Sequence, residues 1–365
     1  MIETFQANCL ATLIGSLPLS DHGKASDLIM EYTPEIPFWA LLPVHKKEGM
    51  MVQFTPGLPG FYSDDGDGFV NTDSDSYHHE LLEFFEDYMA VIEGNIELDT
   101  SRFALKEDDA RGFFMFWNRL QTLATPPIAV KGQLTGPFTF GTGIVDQNKR
   151  PIFYDPQLRD TEVKLLAMKA RWQAHRLSRL KRPVLIFFDE PALAGVGSSE
   201  FTSISNKDIR QCFEEVCEAV HLEGGLAGVH ICANTDWSLV LESSVDIVSF
   251  DAYAYFDRFI LYPAQIKKFL ESGKILAWGI VPTLKVQQLE KETVSSLLSL
   301  WDQQVNQLES LGIDVQQLTA QSLITPSCGT GSLSIDLAKK VLKLTRDISQ
   351  EIRERHIMGG IEHGA

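Results

Sequence analysis

The sequence predicts an α/β protein whose single domain is an eight-stranded parallel barrel, the (β/α)8 TIM barrel. Short apolar runs that are typical of buried parallel strands recur along the chain, and amphipathic stretches lie between them. At least six such strand–helix units within 365 residues favour a barrel over an open sheet. No Gly-rich strand-to-helix turn supports the open, doubly wound alternative.

The predicted strands are short and apolar, and most of them end in polar or small residues. They span residues 11–15, 127–132, 184–190, 225–232, 245–253 and 274–281. The predicted helices have apolar residues at helical spacing and span residues 158–181, 207–223 and 286–311. Alternation of this kind indicates βαβ units, in which the strands run parallel.

The barrel is predicted to occupy residues 1–353 as one domain. Residues 54–78 are rich in Pro, Gly and Asp and interrupt the pattern after the first unit. The spacing of their acids does not fit a calcium-binding loop. We therefore interpret them as an inserted loop near the mouth of the barrel and as a candidate lid. Residues 354–365 are predicted to be a flexible tail.

Composition restricts the class of protein. The formal net charge is -17, which argues against binding to nucleic acid or to an anionic membrane. The first residues lack the pattern of a signal peptide, and no apolar run has the length of a membrane helix, so a cytoplasmic protein is expected. Five cysteines in such a chain indicate metal binding or catalysis rather than disulfides.

The strongest sign of chemistry is the pair His230 and Cys232, at the end of an apolar run. Alternate residues of a strand point to the same side, so both side chains are expected at the carboxyl end of a strand, where barrel active sites lie. Imidazole nitrogen and thiolate sulfur together suit zinc. A histidine and a cysteine alone are more often simply packed in a core, so the interpretation needs a third ligand.

Cys328 is the candidate third ligand. Pro and Gly bracket it within residues 324–331, directly after a short apolar run. A buried structural cysteine needs no such rigid bracket. We therefore predict that Cys328 joins His230 and Cys232 as the zinc ligands and catalytic residues. We interpret the remaining cysteines as packing residues: Cys9, Cys212 and Cys217.

A carboxylate is expected to complete the zinc shell. Asp251 ends an apolar strand, where an acid is costly to bury unless it is paired or binds a metal. With one histidine and two cysteines it would give a tetrahedral shell, in which substrate displaces one ligand because catalytic zinc needs an open position. Glu242 is the competing carboxylate, and it ranks lower because it lies in a helical stretch.

Two further motifs are candidate substrate-binding residues. Asp189 and Glu190 follow a predicted strand, and adjacent acids there could hold an ammonium group, act as a general base or cap a helix. Ile14, Gly15 and Ser16 end the first strand. Glycine there allows close approach of the backbone to a ligand and serine offers a hydroxyl, although a plain turn would have the same sequence.

Six motifs occur in the order of one known family. They are IGSLP at 14–18, VKGQLTGP at 130–137, FDEPAL at 188–193, HIC at 230–232, VSFDAY at 248–253 and SCG at 327–329. Together they resemble the C-terminal catalytic half of cobalamin-independent methionine synthase. That family belongs to one superfamily with uroporphyrinogen decarboxylase and the corrinoid-dependent thiol methyltransferases. The resemblance covers most of the chain.

The resemblance implies transfer of a methyl group to the thiol of homocysteine, which forms methionine. It implies a barrel with zinc at its carboxyl face and His230, Cys232 and Cys328 as ligands. It places the family's glutamate ligand at Asp251, where this chain departs from the pattern. It further implies that Ser16 and Asp189 hold the amino-acid part of homocysteine.

Two departures from the family bear on the methyl donor. The additional N-terminal barrel of the full-length family is absent from this sequence, and residues 279–285 contain no counterpart of the histidine thought to protonate the departing folate. The chain therefore resembles the short single-barrel ("core") methionine synthases. A methylated corrinoid (methylcobamide) is the expected donor and a corrinoid protein is a candidate partner, although His78 or His79 could supply an acid for folate.

Three other functions stay open at this point. A corrinoid-dependent methyltransferase for another thiol, such as coenzyme M, would not need Asp189 for an ammonium group. A decarboxylase of the uroporphyrinogen type would need no metal and would have an arginine-rich pocket. A non-catalytic zinc protein with a barrel fold would bind metal without methyl transfer.

Overall fold

The computed structural model describes residues 5–64, 67–198, 201 and 203–358. Its main feature is a parallel sheet of seven strands that curls into a half-barrel. In spatial order the strands are β1 (Leu10–Ala11), β10 (Ser322–Pro326), β9 (Ile275–Val281), β8 (Ile247–Phe250), β7 (Leu226–Ile231), β6 (Val184–Asp189) and β4 (Val130–Thr135). Neighbouring strands of this sheet are all parallel, so the predicted α/β class is confirmed.

Regular strand pairing does not close this sheet into a barrel. Residues 35–41 lie between its two edge strands and make one isolated bridge on each side. Phe38 pairs with Lys131 of β4, and Leu41 pairs with Ser16 just after β1. The segment contains a proline, which has no N–H to give to a ladder, and this explains why it is not a regular strand.

The helices carry the chain from the end of one strand to the start of the next. They are α1 (His22–Tyr32), α2 (Tyr77–Ile92), α3 (Arg111–Gln121), α4 (Pro137–Gly143), α5 (Pro156–Ser178), α6 (Asn206–His221), α7 (Trp237–Leu241), α8 (Ala252–Phe259), α9 (Pro263–Glu271), α10 (Val286–Lys291), α11 (Val294–Ser310), α12 (Val315–Ala320) and α13 (Ile335–Arg353). Short 3-10 helices lie at Lys46–Glu48, Val52–Phe54, Leu98–Thr100, Ile152–Tyr154 and Pro191–Gly195.

The single helix predicted at 286–311 is wrong, because the structure has two helices there, α10 and α11. Thr293 begins the second one: its hydroxyl accepts a hydrogen bond from the backbone N of Ser296 at 3.1 Å. The hydroxyl of Ser296 in turn accepts from the backbone N of Thr293 at 2.9 Å. This reciprocal capping box satisfies the first N–H groups of a new helix and so favours a break in the chain.

The segment 54–78 is more ordered than the predicted loop. It contains an antiparallel hairpin of β2 (Phe61–Asp64) and β3 (Asp67–Val70), and β3 also pairs in parallel with β5 (Val145–Asp146). Residues 65 and 66 of this segment lie outside the described residues. No described residue of 54–78 lines the cavity at the candidate site, and the role of a lid stays a prediction.

The predicted tail at 354–365 is only partly described. Glu354–Met358 form a π-helical turn that follows α13. Residues 359–365 lie outside the described residues, so the flexibility predicted for this tail stays a prediction.

Side chains alternate between the two faces of the curled sheet. In β6, Ile186 and Phe188 belong to the large apolar cluster between sheet and helices, whereas Leu185 and Phe187 belong to a smaller cluster on the inner face. The next residue on that inner face is Asp189, at the carboxyl end of the strand. Apolar side chains thus fill the lower interior, and polar ones follow at the carboxyl ends.

Candidate functional site

A cavity of about 480 Å³ lies at the carboxyl ends of the strands. In parallel α/β folds this edge of the sheet is where loops of different strands meet and where active sites form. The predicted site residues that line the cavity are Ile14, Gly15, Ser16, Asp189, His230, Cys232 and Cys328. The structure therefore brings together residues from four strand ends that lie far apart in the sequence.

The centre of the site is the group formed by His230, Cys232 and Cys328. One donor atom from each of them lies within 4.8 Å of the others, a grouping that could hold a metal ion. His230 belongs to β7 and Cys232 follows that strand directly, so strand alternation puts both on the inner face. Cys328 arrives from the opposite side of the half-barrel, on the loop after β10.

The pairing of β10 with β9 becomes irregular just before Cys328. The register between β10 and β9 shifts, so that Thr325 pairs with Gly279 but Pro326 pairs with Val281. The extra residue is Ile280, so the irregularity lies in β9, the strand beside the loop that carries Cys328. Gly279 leaves the necessary room, because a Cβ atom there would lie 2.6 Å from the carbonyl oxygen of Phe250.

Ser327 fixes the loop that carries Cys328. Its backbone N donates to the carbonyl oxygen of Val281 at 2.8 Å. Its buried hydroxyl accepts from the backbone N of Thr283 and also contacts the Thr283 hydroxyl, both at 3.1 Å. The cysteine is therefore held by a rigid backbone, as the Pro and Gly bracket predicted.

His230 offers one ring nitrogen to a ligand. Its Nδ1 forms a hydrogen bond of 2.9 Å with the hydroxyl of Ser249, which fixes the plane of the ring. Its Nε2 is buried and has no hydrogen-bond partner. A buried nitrogen without a partner is costly, and a histidine whose other nitrogen is held this way is the usual arrangement of a metal ligand.

The two thiols have opposite pKa shifts. A hydrogen bond from Cys328 lowers the pKa of Cys232, and neighbouring His230 lowers it further, against the effect of burial. The same hydrogen bond, together with burial, raises the pKa of Cys328. An imidazole and two neighbouring thiols form a donor set that fits zinc.

The predicted carboxylate ligand requires a correction, because neither acid joins the three-residue group. Asp251 is buried, and its Oδ1 accepts from the backbone N of Ala254 at 2.8 Å, which caps α8. Burial raises its pKa to about 7, although the Ala254 hydrogen bond and His230 lower it. Glu242 lies outside the sheet and pairs with Arg210 at 3.0 Å.

The turn at Gly15 and Ser16 forms one wall of the cavity. Gly15 has a φ of +62°, in the left-handed region that glycine adopts without strain. Its carbonyl oxygen accepts from the side chain of Gln133 at 3.1 Å. The hydroxyl of Ser16 accepts from the backbone N of Gly331 at 3.2 Å, and its own hydrogen remains to be donated.

Asp189 and Glu190 have different roles. Asp189 lines the cavity, and burial raises the pKa of its carboxyl, against the lowering effect of His230 and Lys131. Glu190 is fully buried and does not line the cavity, which corrects its prediction as a substrate-binding residue. Its carboxylate accepts from the backbone N of Phe138 and Thr139 and from the Thr139 hydroxyl, at 2.6–2.9 Å, and so caps α4.

A second buried acid, Glu162, lies close to Glu190. Neither of its oxygens has a hydrogen-bond partner, and burial, helped by the charge of Glu190, raises its pKa well above the ordinary value. A carboxyl with a raised pKa binds its proton more tightly in the folded protein. The proton bound by Glu162 therefore contributes its full stabilisation below the ordinary glutamate pKa. As the pH rises from there toward the pKa in the folded protein, the free energy of unfolding falls by about 1.4 kcal/mol per pH unit.

We therefore expect Glu162→Gln to raise the free energy of unfolding at pH 7.5 by roughly 1–3 kcal/mol, because the amide keeps the shape and cannot ionise. Urea unfolding at pH 5 and pH 7.5 measures the effect, which should be small at pH 5. Glu190→Gln is the matched control: burial also raises the pKa of Glu190, to about 8, but its oxygens accept three hydrogen bonds, and an amide nitrogen cannot accept its share of them, so this variant should destabilise. Equal loss of stability in both variants at pH 7.5 would contradict the interpretation that ionisation of Glu162 destabilises the folded protein.

Sequence reasoning missed Glu48, which lines the cavity and is buried. Its Oε1 lies 2.5 Å from Nε2 of His22, and its Oε2 accepts from the backbone N of Leu42 at 3.3 Å. No strand precedes it, and it lies in a polar stretch that looks like an ordinary loop. Hence the sequence gives no signal for this second carboxylate on the cavity wall.

Comparisons of the chain with models of protein families and with curated proteins found no match. The resemblance to methionine synthases therefore rests on the motifs alone. Among the described residues, no helix is both long enough and apolar enough to cross a membrane.

Proposed function

We propose that this chain transfers a methyl group to the thiol of homocysteine, with zinc bound by His230, Cys232 and Cys328. The observation that carries the proposal is the convergence of these three donor groups at the wall of the cavity. Two thiols and an imidazole leave one position of a tetrahedral shell to substrate. Bound zinc would promote loss of the thiol proton and keep the sulfur available for attack at neutral pH.

The remaining wall of the cavity matches an amino-acid thiol. Asp189 and Glu48 are carboxylates that could pair with an ammonium group, and the Ser16 hydroxyl could donate to a carboxylate. A sulfonate thiol such as coenzyme M would meet two acids instead of a cation. No arginine is found among the described residues that line the cavity, which also disfavours a decarboxylase of the uroporphyrinogen type.

The fold supports the same proposal. Residues 35–41 occupy the place of a second strand between β1 and β4. In this proposal that segment counts as the eighth strand of a (β/α)8 barrel, the fold whose carboxyl face holds active sites.

The methyl donor in this proposal is a methylated corrinoid. Folate nitrogen must be protonated as the methyl group departs, whereas cob(I)alamin leaves without a proton. His78 and His79 are exposed on α2 and do not line the cavity. His22 does not line the cavity either, but it contacts the wall residue Glu48, so it is a candidate acid for a folate donor.

A methyl-transfer assay tests the proposal. Zinc-loaded protein is supplied with methylcobalamin or methyltetrahydrofolate, each combined with homocysteine or coenzyme M, and methylated thiol is measured. We expect methionine from methylcobalamin and homocysteine, and loss of it after zinc is removed by chelation. Faster turnover with methyltetrahydrofolate would refute the corrinoid donor, and faster methylation of coenzyme M would refute homocysteine. Tight zinc binding without methylation of either thiol would indicate the non-catalytic alternative.

A further inference from the structure

His22 is a histidine outside the cavity that methyl transfer from a corrinoid does not use. It is the first residue of α1, and its side chain is 8% exposed. Its Nε2 lies 2.5 Å from Oε1 of Glu48, whose side chain is 6% exposed and lines the cavity. A carboxylate oxygen can only accept a hydrogen bond, so Nε2 of His22 carries the hydrogen of this contact. The pair thus joins a helix outside the cavity to an acid on its wall.

A second histidine, His45, restrains the ring of His22. The two rings are stacked, with centroids 5.0 Å apart and planes inclined by 11°. Nε2 of His45 lies 2.9 Å from the carbonyl oxygen of Ser20, two residues before α1 begins. Since a carbonyl oxygen accepts, this nitrogen donates. The ring of His22 is therefore held by a stacked neighbour as well as by its own hydrogen bond.

The loop that carries Glu48 is also closed on itself. The backbone N of Glu48 donates to the carbonyl oxygen of His45, and the backbone N of His45 donates to that of Leu42, both at 2.9 Å. Oε2 of Glu48 reaches back to the backbone N of Leu42, at 3.3 Å. This contact is long, so Oε2 keeps more capacity than Oε1 to accept a hydrogen bond from a ligand. The cavity wall thus contains a carboxylate that is firmly held at one oxygen and only weakly bonded at the other.

We infer that His22 is a positioning residue: its hydrogen bond holds Oε1 of Glu48, so that Oε2 is available to the ammonium group of the substrate. The inference rests on the proposed function for its substrate. His22 does not itself line the cavity, so it acts through Glu48. A carboxylate that is fixed before the ligand arrives loses less conformational freedom on binding, and it therefore binds an ammonium group more tightly than a mobile one does.

A purely structural role of His22 has a different consequence. If the pair only ties the loop to α1, its loss should weaken every ligand of the cavity alike. If His22 positions Glu48, the loss should be confined to ligands that carry an ammonium group. Zinc binding should be unaffected in that case, because neither residue belongs to the group of metal donors.

Calorimetry with the zinc-loaded protein compares homocysteine with 4-mercaptobutanoate, which lacks the amino group. We expect His22→Leu to weaken homocysteine about tenfold and the analogue less than about twofold, with zinc content unchanged. His22→Gln should restore most of the homocysteine affinity, since its amide nitrogen can take the place of Nε2 and donate. His175→Leu is the matched control. His175 also contacts a glutamate, Glu223, at 2.9 Å, but it does not line the cavity, and its loss should leave both affinities unchanged.

A double-mutant cycle shows whether His22 acts through Glu48. Glu48→Gln should reduce the preference for homocysteine over the analogue, and His22→Leu added to it should change that preference no further. A further loss as large as in the unaltered background would overturn the inference. If His22→Leu does not fold, His22→Asn takes its place, because its shorter amide cannot reach Oε1. Loss of folding in both variants would give His22 a structural role and overturn the inference.

The two proposals fail in distinguishable ways. Equal weakening of both ligands by His22→Leu, or an unchanged preference for homocysteine, would overturn the positioning role alone. Binding of neither ligand by the unaltered protein would overturn the proposed function and the positioning role together.

Discussion

Replacing both Cys232 and Cys328 with alanine should remove zinc and abolish methyl transfer. The unaltered protein should bind one zinc per chain, because one imidazole nitrogen and two sulfur atoms lie within 4.8 Å of one another. Each single substitution should remove most of the metal, since a site with two protein ligands binds zinc weakly. Metal analysis after dialysis against a mild chelator measures the effect.

Two controls separate ligation from simple loss of packing. Cys212→Ala also removes a buried free thiol, from α6, and should leave zinc content unchanged. Asp251→Ala should keep most of the zinc and destabilise the protein by about 1 kcal/mol, because its carboxylate caps α8. Full zinc occupancy in the Cys232→Ala, Cys328→Ala variant would end the proposal of a metal site.

Asp189→Asn should weaken homocysteine binding by roughly 2 kcal/mol or more, the scale for loss of a buried, charged hydrogen bond. Zinc content should not change, since Asp189 is not among the metal donors. Calorimetry with the zinc-loaded variant measures the binding. An amino-free thiol serves as the control ligand and should bind as before. Unaltered homocysteine affinity in a well-folded variant would leave Asp189 with a structural role only.

Two simple rules explain why the sequence predicted the group of His230, Cys232 and Cys328, which could hold a metal ion. Strand alternation puts His230 and Cys232 on one face. The Pro and Gly residues around Cys328 predicted a rigid turn, and in the structure Ser327 ties that turn to Val281 and Thr283 by hydrogen bonds. What the sequence could not predict is that a strand on the far side of the curled sheet would bring Cys328 to the other two.

Asp251 and Glu190 show why acids at strand ends are hard to interpret. Each follows an apolar strand, and each is used to cap a helix. A carboxylate at a strand-to-helix junction can accept from free N–H groups or face the cavity, and the choice depends on side-chain direction, which spacing does not determine. Asp189 faces the inner side because it continues the alternation of Leu185 and Phe187.

Four of the six predicted strands match the structure closely, whereas the run at 11–15 overlaps β1 (Leu10–Ala11) at one residue only. The β6, β7, β8 and β9 strands coincide with predicted runs. Residues 35–41 escaped prediction because a proline prevents regular pairing, although the segment bridges both edges of the sheet. Glu48 escaped because it lies in a polar loop, and only folding brings it to the cavity wall.

The most direct test of the metal-dependent thiol site is the absorption spectrum of the cobalt(II)-substituted protein during titration with homocysteine. Cobalt(II) accepts the ligands of zinc, and its sulfur-to-metal absorption reports how many thiolates are bound. We expect the signal of two thiolates in the free protein, with His230 as the third ligand, and an increase to three thiolates as homocysteine binds. A spectrum that stays unchanged on addition of saturating homocysteine would contradict the proposed function.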